Sequence, residues 1–187
     1  HKQGYNPVDT CVDNFRTGTW MRSTRRTAKM AVIHHRSPSM SDLAIRPVTA
    51  ADYSTWLSLW QAYQRFYKTD IPEAVTQVTW QRMLDEAEPI NAALAWRDGV
   101  AVGMVHYIYH RSCWTIENSC YLQDLLVDDA ARGAGVGRQL IEYVYATAKA
   151  AGCVKVHWLT HETNGTAIGL YQRVAEQPGF IQFRKTL

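Results

Sequence analysis

The residues whose types and spacing best suit chemistry lie in one run, residues 122–145, LQDLLVDDAARGAGVGRQLIEYVY. An apolar stretch, Leu125, Leu126 and Val127, passes through an acidic turn at Asp128-Asp129 into Arg132-Gly-Ala-Gly-Val-Gly-Arg138. Leu140, Ile141, Val144 and Tyr145 then recur at helical spacing. Gly133, Gly135 and Gly137 alternate with Ala134 and Val136 where that helix begins. A backbone without β-carbons there can turn several N–H groups onto one oxyanion, and the positive end of the helix dipole helps hold it. That chemistry suits a pyrophosphate.

Two nucleotide-binding patterns do not fit. The dinucleotide fingerprint needs G-x-G-x-x-G and an acidic residue about 20 positions on; here the glycines fall as G-x-G-x-G and the next strand ends in Thr160-His161. The P-loop needs Gly-Lys-Ser/Thr, which is absent. What remains is R-x-x-G-x-G, Arg132 to Gly137, on a strand–loop–helix. His157 and His161 lie four apart, but Gly165 stands where the second His of an H-E-x-x-H site would be, so no metal is expected. Nothing marks Cys120 as an activated nucleophile.

The elements that must position this loop follow from periodicity. Residues 43–48 read as a strand, and Thr49-Ala-Ala-Asp52 as a capping box opening a helix through Trp56, Leu57, Leu59, Trp60, Tyr63 and Phe66. A second helix is expected over residues 78–87, with Trp80, Met83 and Leu84 on one face. Residues 92–96 and 100–110 flank Asp98-Gly99, a strong hairpin signal. After a polar loop, residues 111–118, come a strand over 120–127, a helix over 136–151, a strand over 154–160, a short helix over 166–174 and a last strand over 179–185. The order is β-α-α-β-β-β-α-β-α-β.

A chain of 187 residues, 47% hydrophobic and 20% charged, suits one folded domain with a real core. The net charge of +3 is unevenly spread: residues 1–39 carry seven Lys/Arg against Asp9 and Asp13. That segment has no sustained period, so the expectation is a poorly structured basic leader over 1–39 and a domain over 40–187. No uninterrupted apolar run reaches the roughly 18 residues of a membrane span, and four cysteines without a C-x-x-C pair read as reduced thiols, hence a cytoplasmic protein.

Residues 41–187 resemble a GNAT acetyltransferase, near the diamine (spermidine/spermine-type) branch and its bacterial relatives. The matching pieces are Ile45-Arg-Pro, Tyr121-Leu-Gln-Asp-Leu-Leu-Val127, Arg132 to Gly137, and Asn164 with Leu170-Tyr-Gln-Arg173. The resemblance implies an α+β GNAT fold: a mixed, mostly antiparallel sheet with a central parallel pair of splayed strands and helices on both faces. It implies acetyl-CoA as co-substrate, held by Leu125, Leu126 and Val127 along the pantetheine, by Arg132, Gly133, Ala134, Gly135, Val136, Gly137 and Arg138 at the pyrophosphate, and by Asn164 and Arg173. Tyr171 takes the family's general-acid position; a phenol with an ordinary pKa of about 10 can protonate a leaving thiolate.

Gln123, Asp124, His157 and Glu162 are the candidate acceptor-binding residues. The diamine branch carries Glu-Asp where this chain has Gln123-Asp124. A glutamine cannot take a proton, so the base is left open among Asp124, Glu162, His106, His161 and a water chain. The expected reaction is direct transfer of acetyl to a primary amine of a small cationic acceptor, a polyamine or thialysine-like amino acid, in a ternary complex. Other readings are a peptide- or protein-lysine acetyltransferase, or an acyl-CoA-binding sensor or assembly module. Nucleic acid is not an expected partner, and the resemblance implies a homodimer joined through C-terminal strands.

Overall fold

The computed structural model describes residues 43–187; the basic leader lies outside the described residues. The elements are β1 (Ala44–Pro47), α1 (Tyr53–Phe66), α2 (Glu73–Leu84), β2 (Ile90–Arg97), β3 (Val100–His110), β4 (Ser119–Val127), α3 (Val136–Ala150), β5 (Val156–His157) and α4 (Gly165–Val174). The five strands stand in the order β1-β2-β3-β4-β5. β1 to β4 pair antiparallel, and β4 and β5 pair parallel. This is the expected mixed sheet.

Local chemistry explains the hairpin and the first helix. Asp98 and Gly99 both have positive φ, 51° and 77°, which a two-residue primed turn requires and which Asp-Gly tolerates. Thr49 and Asp52 form the expected capping box, closing a single 3-10 turn, Ala50–Asp52, that leads into α1. Arg46 of β1 reaches the same carboxylate with two hydrogen bonds, 2.7 and 2.8 Å. The Ile-Arg-Pro motif therefore locks the strand to the helix that follows it.

Two apolar layers clamp the sheet. On one face Ala93, Ala95, Val105, Tyr107, Cys120 and Leu122 pack against Val136, Leu140, Ile141, Val144 and Ala148 of α3. On the other, Leu94, Met104 and Leu126 meet Trp56, Leu59 and Trp60 of α1 and Trp80 of α2. Gly103 allows the close approach of α3: a β-carbon there would stand 2.9 Å from the Leu126 carbonyl and 3.2 Å from Leu140 Cδ1.

Three expected elements differ. α2 begins at Glu73, five residues before the expected start, because Pro72 presets its entry and the apolar residues of its first turn, Ala74 and Val75, face solvent and give no apolar period to read. The strand expected over 154–160 shrinks to Val156–His157, since its neighbour β4 bulges just beyond that point and carries the ladder away. The strand expected over 179–185 does not form in the chain's own sheet. Its apolar residues Phe180, Ile181 and Phe183 are 86%, 77% and 88% exposed.

Candidate active site

The site is organised by one irregularity in β4. The register runs His106 to Asp124 and then Tyr107 to Leu122, so Gln123 is the extra residue of a bulge. Before the bulge Cys120 and Leu122 face α3; beyond it Leu126 faces α1 and α2, while Leu125 and Val127 pack toward α3. A strand of period two would put Leu122 and Leu126 on one face; the inserted residue reverses the alternation. Asp124 is thereby turned into the α1 side of the sheet, while Gln123 remains exposed. The sequence pattern carried no sign of this flip.

Inside the α1 layer Asp124, only 8% exposed, meets His106: Oδ2 lies 3.0 Å from Nδ1. The other ring nitrogen, Nε2, accepts a hydrogen bond of 2.8 Å from the Trp56 indole N–H. An indole N–H only donates, so Nε2 must carry a lone pair and the proton of the neutral ring sits on Nδ1. His106 therefore donates to Asp124, and its tautomer is fixed from α1. Tyr63, two turns further along α1 than Trp56, has its phenol pushed far above the ordinary tyrosine range, by burial first and then by the negative Asp124 carboxylate. Its ring stands 4.8 Å from that of Tyr67.

The β4–β5 ladder holds only at Cys120–Val156 and Tyr121–His157. From Leu122 onward the β5-facing edge of β4 has no strand partner, so the expected splay is present. Its free edge leads straight into the glycine loop. Gly133 and Gly135 adopt positive φ, 77° and 79°, and Gly135 caps α3. The hydrogen bond from Gln139 N–H to the Gly135 carbonyl opens the helix, so the N–H groups of Val136, Gly137 and Arg138 precede the helical ladder. They form a nest suited to an anion. Around Gly137 a modest gap opens: a β-carbon would lie 3.4 Å from Leu170, 3.5 Å from Val127 and 3.9 Å from Leu125.

A groove of about 390 Å³ opens beside this loop, lined by Arg65 and Phe66 of α1, Leu126 and Val127 of β4, Asp129 and Arg132. The two candidate arginines already have carboxylate partners. Arg132 pairs with Asp129 at 2.6 Å and lies over the Phe66 ring, and Arg138 pairs with Glu142 at 2.7 Å. Both remain largely exposed and able to turn toward a phosphate.

Across the splay, α4 brings Tyr171 back toward α1. Burial raises the Tyr171 phenol above its ordinary pKa, the Tyr67 phenol adds to that, and the Thr160 hydroxyl works against it. Asn164 caps α4, its amide donating to Thr160 Oγ1 at 3.3 Å. Arg173 lies exposed on the same helix. Of the candidate acceptor residues, Gln123 and Asp124 share the bulge, and His157 stacks on Tyr121 with ring centroids 5.2 Å apart. His157 also meets His110, Nε2 to Nε2, at 2.9 Å. Burial, then the charges of His110 and Lys155, lower its pKa. Glu162 is exposed in the loop before α4.

Sequence reasoning places Trp56, Trp60, Phe66, Tyr67 and Trp80 beside the acceptor, mostly as core with one or two as an aromatic wall for a cation; it missed Tyr63 and the hydrogen bond from Trp56 to His106. The available signal was His106, a polar residue breaking the apolar alternation of β3. Cys120 is unsuited to carry an acyl group, because burial and the neighbouring Cys153 push its thiol up to about 12. Among the described residues, no group of three or more His, Cys, Asp or Glu is placed to hold a metal ion, and no helix is long and apolar enough to cross a membrane.

A splayed strand pair, a bulged β4 and a glycine-capped helix together define an acyl-CoA-dependent transferase. Residues 56–175 match the model of the acetyltransferase (GNAT) family, and the chain belongs to that family; it is an acetyl-CoA-dependent N-acetyltransferase. It is 35% identical over 145 residues to the D-amino-acid N-acetyltransferase HPA3 of Saccharomyces cerevisiae, covering 76% of this chain and 90% of that one. It is 33% identical to the mouse (Mus musculus) thialysine N-epsilon-acetyltransferase over 90 residues, about half of each chain. Among solved structures, the aminoglycoside acetyltransferase AAC(6')-Iy in complex with a CoA bisubstrate analogue has the same fold, with a TM-score of 0.69 at 20% identity. That match covers 79% of this chain and 99% of the other.

Proposed function

We propose that this enzyme acetylates a primary amine of a small acceptor, an amino acid of the D-amino-acid or thialysine kind, by direct attack within a ternary complex. The observation that carries the reading is the bulge. Gln123 and Asp124 fall at the bulge, just past the last β4–β5 pair, which supports an acceptor site there. The two relatives support amino-acid acceptors over the polyamines that the diamine-branch resemblance implies, and Gln123 in place of glutamate agrees with that.

The residues fit acetyl-CoA. The N–H groups of Val136, Gly137 and Arg138 suit its pyrophosphate, the unpaired edge of Leu125, Leu126 and Val127 suits its amide-bearing arm, and Arg132 and Arg138 add charge. When bound, it supplies the acetyl thioester. A backbone N–H of β4 aimed at the acetyl oxygen would lower the barrier by about 3–4 kcal/mol, as single oxyanion donors do elsewhere. Tyr171, kept protonated by burial, gives its hydroxyl proton to the departing sulfur.

The same reading takes residues 40–187 as the catalytic domain, working in the cytoplasm and paired with a second copy of the chain. Support for the pairing is the C-terminal run of Phe180, Ile181 and Phe183, strand-like in pattern and exposed in its own chain. Support for a reducing compartment is that Cys113, Cys120 and Cys153 are free thiols.

Thiol release from acetyl-CoA tests the function, with D-lysine, D-phenylalanine, thialysine, spermidine, an aminoglycoside and a lysine-rich peptide as acceptors. Turnover greatest with the amino acids is expected. Turnover only with the peptide, or tight acetyl-CoA binding without turnover of any acceptor, would replace this reading with one of the others.

A further inference from the structure

An amine that becomes an amide must lose a proton, and Gln123 cannot take it. We propose that the Asp124 carboxylate takes it, held in place for that task by the Trp56–His106 pair. The inference rests on the acetyl-transfer reading above.

Three observations converge on Asp124. It stands next to Gln123 at the bulge, three residues past the last β4–β5 pair, where the strands part. Its side chain keeps 10% of its surface exposed, enough for contact with a small ligand. Its Oδ2 accepts from His106 Nδ1, whose proton is fixed there by the Trp56 N–H on Nε2. The imidazole already carries its proton on the side facing Asp124, so it cannot relieve the carboxylate of one. It orients the group through Oδ2, and the Tyr63 phenol is the carboxylate's other hydrogen-bond neighbour. His106 is thus a positioning residue, and Asp124 the catalytic one.

A carboxylate is a weak base beside a free alkylamine, yet it suffices here. A nitrogen that has begun to bond to the acetyl carbon is far more acidic than the free ammonium, and its proton passes downhill to Asp124. The balance closes for the neutral amine: the N–C bond forms as the C–S bond breaks, the amine proton goes to the Asp124 carboxylate, and the sulfur takes the proton of the Tyr171 hydroxyl. Asp124 then sheds its proton to solvent and Tyr171 regains one. The titratable groups around Asp124 are His106 from β3, Tyr63 from α1 and Tyr121 of β4 itself. The negative carboxylate also attracts an incoming cationic amine, which gives one proton to solvent before its freed lone pair attacks.

Asp124→Asn is the central test, since the amide oxygen still accepts the His106 N–H and the fold is kept. With D-lysine and thialysine as acceptor probes, kcat/KM near neutral pH should fall by about 10²–10⁴-fold. Acetyl-CoA affinity by calorimetry should stay unchanged. The deficit should shrink as pH rises toward about 10, where hydroxide replaces the missing base. An equal deficit at every pH, or activity within about threefold of wild type, overturns the assignment.

For His106, His106→Asn puts an amide N–H where Nδ1 stands and should keep far more turnover than His106→Gln, which puts it where Nε2 stands. Equal losses in the two overturn the positioning role. If the wild type turns over neither probe, the amino-acid-acceptor reading has failed separately. Nitrogen NMR of His106 then decides the geometry: Nδ1 protonated and Nε2 bare supports it, and the opposite tautomer overturns it.

Discussion

The indole of Trp158 meets the phenol of Tyr171 edge-on, with ring centroids 5.3 Å apart and planes inclined at 67°. Trp158 directly follows β5 and Tyr171 lies in α4, so this contact fixes the phenol across the splay at the point where β5 ends. The hydroxyl contributes nothing to that packing. Tyr171→Phe should therefore fold normally and bind acetyl-CoA with nearly unchanged affinity, while turnover falls by about 10²–10⁴-fold. Because burial raises the phenol, the wild-type acid should stay protonated beyond the usual tyrosine range. The alkaline fall in kcat that it controls belongs above about 10. Full turnover in the phenylalanine variant would remove Tyr171 from the chemistry.

Asp52 holds the fold together at the entry of α1. Its carboxyl is kept well below the usual carboxylate range, first by the hydrogen bonds from Arg46 and then by Thr49, with burial opposing them. The folded state therefore prefers the charged form. The stabilisation is present in full above the unfolded pKa of about 4 and is lost as pH falls through the lower folded value. Asp52→Ala should cost about 1.5–3 kcal/mol near neutral pH, the range for hydrogen bonds to a charged group. Urea melts of the two proteins should converge as the solution is made strongly acidic. A gap that stays constant into strong acid would mean the loss is one of packing.

Much of this architecture could be read from the chain because local signals agreed. The Thr49–Asp52 box, the Asp98-Gly99 turn and the glycine-capped start of α3 each name their own geometry in a few residues. What escaped was nonlocal. No window of sequence says that β4 will take an extra residue at Gln123, and that insertion decides which side of the sheet Asp124 faces. Trp56 reads as core because it is core; its second role comes from one N–H that meets a histidine 50 positions away. The last strand failed for a different reason. Residues 179–185 have the alternation of a strand, but β5 offers only two paired residues in this chain, and alternation cannot supply a partner.

Two glycines separate stability from ligand binding. At Gly103 a β-carbon would stand 2.9 Å from the Leu126 carbonyl, backbone that cannot swing aside. Gly103→Ala should push β3 off α3 and cost about 1–3 kcal/mol. At Gly137 the new methyl would meet its neighbours at ordinary contact distances, and alanine in a helix is favoured over glycine by about 1 kcal/mol. Gly137→Ala should therefore melt at or above the wild-type temperature. Its methyl enters the gap between β4 and α4, however, and covers part of the N–H nest, so acetyl-CoA binding should weaken by at least about tenfold, or 1.4 kcal/mol. Thermal melts with and without acetyl-CoA check both. Undiminished binding by Gly137→Ala would place the cofactor arm elsewhere.

The exposed C-terminal run supplies the last prediction. Phe180 and Phe183 present two large rings to solvent in the isolated chain, and, three positions apart, they lie on opposite faces of an extended segment, as in a strand covered on both sides. An edge such as β5, with two residues paired, has ladder positions to spare. A second copy can supply both the pairing strand and the cover. Burying each phenylalanine contributes about 2–3 kcal/mol, so the double change Phe180→Ser with Phe183→Ser should weaken self-association by about 10³-fold or more. Sedimentation equilibrium should show a dimer for the wild type and a monomer for the variant at micromolar concentration. The isolated chain already exposes both rings, so the monomer's own melting transition should shift little. A wild type that sediments as a monomer throughout would leave these rings with some other partner.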